Sequence, residues 1–473
     1  MSLNKYQIQN TKYKILVEYL FYLFIFLLPW QTRWIYQYGQ LNGGQWEYGT
    51  LSLFGTEILL WIIFLLSLFI ARRKSAGVPC EEIHAERESC RDALQCVSTK
   101  WLSIPFAIVA ILLAIYFLIS IFWSLDKTLA VYSIFHIIEA TILIYLILKI
   151  KPDYKKLFYA IYASAFIQAV LGIYQFSIQF VSANKWLGIA SQNSSDLGVS
   201  VVGTELRRWL RAYGSFTHPN ILGGFLALGF LAGLYLIINH KVESKKQLYG
   251  KLILVFSNLI ILLGILLTFS RAAWISLFIV ILLCCYTVFK KHNATAKKNL
   301  KLFLFYCLLL TALIVFIFKE PFLSRTGVVE ERLENKSTTE RLAYYKDSWE
   351  LIKKTPLLGV GIGNYTLAVH DLLDSSRRPS WVYQPAHNIF VLIFVELGAV
   401  GFLLFLYLLF KIILIIKNGG STSSLEVESP REFIIYFLLL ILLLGLFDHY
   451  LWTSYFGVMM LGMIIGISVK KHE

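Results

Sequence analysis

The chain is built from long runs of apolar residues, each close to the length that crosses a lipid bilayer. Of its 473 residues, 57% belong to the hydrophobic class and only 15% are charged. Water-soluble domains carry about 25% charged residues, and disordered chains combine low hydrophobicity with high charge. The composition therefore excludes a soluble globular protein and a disordered one, and it predicts an integral membrane protein.

A membrane-spanning helix needs about 20 predominantly apolar residues. By this criterion the sequence predicts an all-α, polytopic protein with about twelve spans. The tenth is too long for one straight helix, and Glu396, Leu397, Gly398 and Gly401 are predicted to break it into a short outer and a longer inner part. The predicted spans are Ile15–Trp30, Ser52–Ala71, Leu102–Ile121, Leu129–Leu148, Leu157–Phe180, Ile221–His240, Leu252–Thr268, Ala272–Phe289, Leu302–Phe318, Ile389–Ile416, Phe433–Phe447 and Leu451–Val469.

Lys and Arg residues are distributed unequally between the two sides of this arrangement. An even number of spans places both termini on one side, and most of the 44 Lys and Arg residues lie in the loops of that side. The positive-inside rule therefore predicts cytoplasmic N- and C-termini. The net charge of +15 has the same explanation, so we expect a bilayer, and no nucleic acid, as a partner.

The common metal-binding patterns do not occur in the sequence. It has no Asp-x-Asp pair, and the spacing of its cysteines does not match a zinc site. No cysteine falls in a predicted external segment, so we expect reduced thiols without disulfides. The six cysteines are Cys80, Cys90 and Cys96 in a predicted cytoplasmic loop and Cys284, Cys285 and Cys307 in spans.

The longest predicted external segment divides the chain into three parts. Spans one to nine occupy residues 1–318, the external segment occupies 319–386, and spans ten to twelve occupy 387–473. Within the segment, Ser337-Thr-Thr-Glu340 has the pattern of a capping box. Leu342, Tyr345, Trp349 and Ile352 follow at helical spacing. An amphipathic helix is therefore predicted over about 337–354, lying on the membrane or capping the bundle.

Two arginines lie where predicted spans meet the external side. Arg211 opens the segment RAYGSFTHPN before the sixth span, which also holds Tyr213, His218 and Asn220. Arg271 lies in TFSRAAW, which joins two spans almost without a loop. Anchoring at the membrane interface explains arginines in such positions, but charges at the membrane edge are often functional.

Histidines provide two further candidates. His387 lies in QPAHN at the start of the tenth span, where it acts either as a helix cap or as a general base. His136 and Glu139 lie one turn apart in the fourth span. They form either a buried ion pair or part of a polar path, and the sequence does not decide between these alternatives.

Guanidinium groups bind phosphate oxygens through pairs of hydrogen bonds. Two external arginines, an imidazole and the absence of a metal motif suit one task. They would bind a lipid-linked diphosphate and activate an acceptor hydroxyl. That hydroxyl would attack the carbon from which the diphosphate departs. No cofactor is expected.

Four segments resemble the O-antigen ligase and polymerase superfamily of bacterial membrane glycosyltransferases. They are RAYGSFTHPN, TFSRAAW, ERLAYYKDSWELIKKTPLLGVGIGNY and AHNIFVLIFVELGAVG. The resemblance implies a GT-C-type architecture with a large external loop between spans nine and ten. It also implies metal-independent, inverting transfer of a glycan from an undecaprenyl-diphosphate-linked donor to an acceptor hydroxyl, outside the bacterial inner membrane.

The resemblance also implies roles for particular residues. Arg211 and Arg271 would bind the diphosphate and His387 would remove the acceptor proton. Supporting contacts would come from Tyr213, His218, Asn220, Arg341 and Asn388.

The sequence is compatible with more than one acceptor and with more than one class of activity. Ligases of lipopolysaccharide biosynthesis transfer to the lipid A core, polymerases of surface polysaccharides to another lipid-linked repeat, and protein O-oligosaccharyltransferases to protein hydroxyls. A transporter or flippase is a different class. Such proteins place charges near the bilayer midplane and have repeated halves, whereas here the polar segments lie at the outer edge.

Overall fold

The computed structural model describes residues 5–75, 106–196, 198–205, 207–291, 293–326, 332–374, 378–418 and 429–470. Within these residues, regular structure is mostly helical, and eight helices are long and apolar enough to cross a membrane. The protein is therefore a polytopic helical membrane protein, as its sequence predicts. The predicted loop that contains Cys80, Cys90 and Cys96 lies outside the described residues.

Where the structure describes the connections between helices, most of them are short. The helices are α1 (Lys5–Leu27), α2 (Gly55–Ser75), α3 (Phe106–Ser120), α4 (Lys127–Ile150), α5 (Tyr154–Ile178), α6 (Pro219–Ile238), α7 (Lys245–Leu267), α8 (Arg271–Lys290), α9 (Ala294–Ile317), α10 (Lys319–Thr326), α11 (Arg332–Lys354), α12 (Tyr365–Leu373), α13 (Ile389–Asn418), α14 (Pro430–Phe447), α15 (Tyr450–Thr453) and α16 (Tyr455–Val469). The longer connections are the segments between α1 and α2, between α5 and α6, and between α9 and α13.

Each predicted span overlaps one of these helices, except the last, which covers α15 and α16 with a break at Ser454. Three of the apolar helices are shorter than a full span in the described residues, over Gly55–Phe69, Ile108–Ser120 and Tyr455–Val469. The number of twelve spans therefore stays a prediction. Side chains on the outer faces of the helices, such as Phe316 and Leu308, are largely exposed, as expected for surfaces that meet lipid.

The external segments contain short strands that an all-α fold does not include. Strand β1 (Arg33–Gln37) pairs with β4 (Leu51–Phe54), so the predicted second span begins later, at Gly55. The aromatic and β-branched side chains of this region favour strands over helix. The other pairs are β2 (Gln40–Leu41) with β3 (Gly44–Gln45), β5 (Phe180–Val181) with β6 (Gln192–Asn193), and β7 (Val201–Gly203) with β8 (Arg208–Leu210).

Helix α6 lies at the centre of the bundle and is almost completely buried. Its glycines allow neighbouring helices to approach closely, since a Cβ atom on Gly229 would lie 2.1 Å from Cβ of Ala165 on α5. His218 is the N-cap of α6, and its side chain accepts a hydrogen bond from Asn220 N. The most buried helix thereby holds the external polar residues at a defined position.

Helix α13 is broken as predicted. The backbone at Gly398 is non-helical, with φ 63° and ψ −173°. The chain after α11 fills the gap, where Gly361 N donates a hydrogen bond of 2.9 Å to Glu396 O. A Cβ atom on Gly359 would lie only 2.4 Å from that oxygen. The glycine run in GVGIG thus lets two backbones approach, and it is no phosphate-binding loop.

The amphipathic helix α11 begins at Arg332, earlier than its predicted start at Ser337, and ends at Lys354. Its buried side chains are Ser348 and Leu351, and it contacts α12 and α13. The predicted apolar face lies on the other side, where Trp349 is 57% exposed. The helix therefore packs on the bundle through Ser348 and Leu351, and most of its predicted apolar face stays exposed, so contact of that face with the membrane stays a prediction.

Candidate active site

A cavity of about 1140 Å³ lies at the end of the helices that the sequence predicts to be external. Small-molecule sites usually have about 300–1,000 Å³, so this cavity suits a larger ligand. Five of the residues that the sequence predicts for the site line it, although they come from separate parts of the chain. They are Arg211, His218, Asn220, Arg341 and His387.

Three other predicted residues are not among those that line the cavity. The Tyr213 hydroxyl accepts a hydrogen bond of 2.7 Å from Ser200 N, which supports the loop before β7. Asn388 Oδ1 accepts two hydrogen bonds from backbone N–H groups in the first turn of α13, at 2.9 and 3.2 Å. Because Asn388 is the cap of this helix, His387 is not needed for that role.

Arg271 is the third of these residues. It is the first residue of α8, and it is only partly buried. It is not among the residues that line the cavity of Arg211 and His387. Its predicted contact with the diphosphate stays a prediction.

The turn before Arg271 instead positions two other arginines. Phe269 has left-handed backbone geometry, with φ 48°, so the chain reverses sharply after α7. Arg211 Nε donates to Thr268 O at 2.6 Å, and Arg325 Nε donates to Phe269 O at 2.9 Å. The carbonyl groups at a helix C-terminus carry partial negative charge, so they hold both guanidinium groups at the cavity.

Asn220 connects Arg211 to an aspartate between α14 and α15. Its Oδ1 accepts a hydrogen bond of 2.7 Å from Arg211 Nη2, and its Nδ2 donates one of 2.8 Å to Asp448 Oδ2. All three residues are buried. The amide thus joins a cationic and an anionic group without placing them in direct contact.

Asp448 is also paired with His387. Nδ1 of His387 lies 3.6 Å from Oδ1 of Asp448, and the same oxygen accepts a hydrogen bond of 2.8 Å from His449 N. Burial alone raises the pKa of the Asp448 carboxyl, but pairing with His387 outweighs burial and holds the pKa well below its usual range. Asp448 is therefore an anion that can orient the His387 imidazole and stabilise its protonated form.

Two further histidines line the same cavity. Burial, together with the positive charge of Arg211, lowers the pKa of His218 from 6.5 to about 3. Burial lowers the pKa of His449 from 6.5 to about 3. Both imidazoles are therefore neutral near pH 7, and His387 is the histidine of this group with a buried carboxylate beside its ring.

One part of the cavity wall is strongly basic. Arg208, Arg211, Arg325 and Arg341 line it. The guanidinium of Arg208 donates to Ser195 O and Asp196 O at 3.2 and 3.1 Å. A wall with four guanidinium groups suits a ligand that carries several negative charges, such as a diphosphate.

Sequence reasoning missed Asp448, His449 and Arg325. The first two form the short polar connection between the last two spans, and an Asp-His pair in so apolar a region was a usable signal. Arg325 follows the ninth span much as Arg271 follows the seventh. The hydroxyl of Tyr48 donates a hydrogen bond of 2.7 Å to Gln384 Oε1. Apart from neighbouring aromatic residues, no sequence pattern indicates that Tyr48 belongs to the site.

Two groups of side chains in the described residues have the ligand types and spacing for a metal ion, with ligand atoms within 4.8 Å of one another. The first is His387, Asp448 and His449. Both Asp448 oxygens already accept hydrogen bonds, so this group fits proton transfer better than metal binding. The second group is Glu57, His136 and Glu139.

Part of the chain matches a known protein family. Residues 256–406 match the family model described as O-antigen ligase. No curated protein has a significantly similar sequence. The matched region runs from α7 into α13 and contains Arg325, Arg341 and His387. In this region the chain is therefore similar to the O-antigen ligase family.

Proposed function

We propose that the protein is a glycosyltransferase that transfers a glycan from an undecaprenyl-diphosphate-linked donor to an acceptor hydroxyl, at the external face of the bacterial cytoplasmic membrane. The observation that carries this proposal is the cavity itself. It combines a basic wall with the His387–Asp448 pair at the ends of apolar helices. A soluble sugar phosphate would not need a site at the membrane edge, whereas a lipid-linked diphosphate does.

The arginines bind the diphosphate in this mechanism. Arg211 and Arg325 are held by consecutive carbonyl groups, so their positions are set before the donor binds. Arg208 and Arg341 extend the basic wall, and Arg271 is predicted to contribute from the adjacent turn. As the glycosidic C–O bond to the diphosphate breaks, negative charge accumulates on the leaving group, and fixed guanidinium groups stabilise it.

His387 is the general base. Its Nδ1 faces Asp448, which leaves Nε2 to accept the proton of the acceptor hydroxyl. The 3.6 Å separation exceeds a hydrogen bond, but catalytic contacts of this type shorten in substrate complexes. The acceptor oxygen attacks the anomeric carbon from the side opposite the diphosphate, and the configuration of that carbon is inverted.

The proposed step requires no metal ion, because the guanidinium groups supply the positive charge that a metal supplies in other transferases. Asn220 couples the two halves of the site, because it contacts both Arg211 and Asp448. His218 and His449, being neutral, add hydrogen bonds without competing for the proton.

A transfer assay with purified protein tests this proposal. The protein is incubated in EDTA with an undecaprenyl-diphosphate glycan and candidate acceptors, and mass spectrometry identifies which molecule gains the glycan. Lipid A core as the acceptor establishes a ligase, a second lipid-linked repeat establishes a polymerase, and protein establishes an O-oligosaccharyltransferase. Movement of the glycan lipid across liposomes without a new glycosidic bond would contradict the proposal and support a flippase.

A further inference from the structure

A second polar cluster lies beside the cavity, away from the basic wall. Glu57 comes from the first turn of α2, and His136 and Glu139 come from α4. Their side chains are buried, with relative exposures of 1%, 7% and 0%. His136 lines the cavity, as do the neighbouring Phe54 and Tyr132. The cluster is therefore enclosed in the bundle but can be reached from the cavity.

The cluster has too few hydrogen-bond donors for two carboxylates. Trp61 Nε1 donates to Glu139 Oε1 at 2.9 Å, and His136 Nδ1 lies 3.2 Å from Glu139 Oε2. Glu57 Oε1 accepts no hydrogen bond from any described residue. Carboxylates are removed from water at low cost only when they are paired with cations or coordinate a metal. His136 Nδ1 lies 3.6 Å from Glu57 Oε1, too far for a hydrogen bond, and the same nitrogen already contacts Glu139, so one imidazole does not satisfy both carboxylates.

The spacing of the three side chains is close to that of metal ligands. Nδ1 of His136 lies 3.2 Å from Glu139 Oε2 and 3.6 Å from Glu57 Oε1. Ligand atoms about 2.1 Å from a metal, at angles of 90–109°, are about 3.0–3.4 Å apart, so the first distance lies in this range and the second exceeds it slightly. Two carboxylates and one imidazole are ligand types that Zn²⁺ and Mn²⁺ accept. We propose that Glu57, His136 and Glu139 bind one divalent transition-metal ion.

The ion would have a structural role, distinct from the transfer step. It would join the external end of α2 to α4 and neutralise the buried carboxylates. The rings of Tyr132 and Tyr455, whose centroids lie 4.5 and 5.4 Å from that of His136, keep the imidazole in place. The ion would also hold the cavity wall in place at His136. This residue lies outside residues 256–406, the region that matches the family model and contains His387.

Metal binding by the full-length protein in nanodiscs tests the proposal. After treatment with EDTA and its removal, Mn²⁺ is titrated and the free ion is measured by electron paramagnetic resonance, with Zn²⁺ in a parallel calorimetric titration. We expect one site per protein. Glu57→Gln and Glu139→Gln should each weaken binding at least tenfold, whereas Asp448→Asn and Glu396→Gln, which change other buried carboxyls of the cavity, should not.

Thermal unfolding provides an independent measurement. Addition of Mn²⁺ or Zn²⁺ to the metal-free protein should raise the Tm of the unaltered chain, because a ligand that binds only the folded state stabilises it. It should not raise the Tm of the Glu57→Gln/Glu139→Gln double variant. Equal binding by that double variant, loss of binding with Asp448→Asn alone, or no binding by the unaltered protein would each overturn the proposal. None of these outcomes depends on transferase activity.

Discussion

Nδ1 of His387 and Oδ1 of Asp448 lie 3.6 Å apart, although the two residues precede and follow different membrane helices. This pair places a buried anion next to an imidazole at the edge of a cavity with a basic wall. An aspartate in this position holds a catalytic histidine in one tautomer and stabilises the imidazolium that forms. The proposed mechanism depends on this relationship more than on any other.

Asp448→Asn should therefore lower the transfer rate by about 10²-fold or more, because the imidazolium loses its counter-ion. Single-turnover kinetics with saturating donor measure the effect. Asp371→Asn is the matched control, since Asp371 also contacts a histidine, His370, but is exposed. If the Asp448 variant transferred glycan at the rate of this control, Asp448 would not assist His387.

His387→Ala should lower turnover by about 10²- to 10⁴-fold, the range for removal of a general base. Donor affinity should stay near that of the unaltered protein, because the arginines are unchanged. The double variant with Asp448→Asn should be no slower than His387→Ala, since residues that act as a unit are not additive. Substantial recovery with His387→Gln would indicate that His387 orients the acceptor without taking its proton.

Replacement of arginine by lysine keeps the charge but removes the planar pair of donors. Arg211→Lys and Arg325→Lys should weaken donor binding by about tenfold or more, measured as the KM for the lipid-linked donor. Arg207→Lys is the matched control, because Arg207 stacks on Trp209 outside the cavity lining.

The same assay decides the role of Arg271. From the sequence, Arg271→Lys is predicted to weaken donor use. A KM equal to that of the Arg207→Lys control, together with a raised KM for Arg325→Lys, would assign the phosphate contact to Arg325 instead. Insertion and folding of each variant are checked first, because an interfacial arginine can also anchor a span.

Acid should destabilise the folded protein in part through His449. In the unfolded chain a histidine gains its proton below about pH 6.5, whereas the folded-state pKa of His449 is about 3. Between these values the unfolded state binds more protons, so stability falls as the pH falls. His449→Gln should reduce the difference in Tm between pH 7 and pH 4 by about a few degrees. His240→Gln, at the opposite end of α6, serves as the comparison, and an equal effect in both variants would contradict the assignment.

Gly398→Ala should lower the free energy of unfolding by about 2 kcal/mol or more, because alanine is disfavoured at positive φ and its Cβ atom would clash with a neighbouring backbone. A Cβ atom there would lie 2.2 Å from Leu357 O. Gly250→Ala in α7 is the control, because its Cβ would have no neighbour closer than 3.5 Å and alanine favours helix. Unchanged thermal unfolding of the Gly398 variant would mean that the break in α13 tolerates a side chain.

Local features of the chain allowed much of the fold to be predicted. The apolar runs predicted the helices because a bilayer requires about 20 apolar residues for each span, and Gly398 predicted the break in α13 because glycine tolerates positive φ. The start of α2 was predicted too early, since apolar Leu51–Phe54 suit a strand as well as a helix. Hydrophobicity alone does not distinguish these alternatives at the end of a span.

Local features likewise predicted only part of the candidate site. Arg211 and His387 could be recognised because a charge or an imidazole beside an apolar run is unusual. Whether a side chain points into the cavity depends on helix rotation and on turns such as Phe269, where φ is 48°. That turn directs its carbonyls to Arg211 and Arg325, while Arg271 does not line the cavity.

The sequence by itself determined that this is a helical membrane protein with polar residues beside its apolar runs, because composition and periodicity act locally. Only the tertiary structure decided which of those residues meet. The contacts of Asp448 with His387 and Asn220 join segments that are distant along the chain, and such contacts arise from the packing of α6, α13 and α14 rather than from any local pattern.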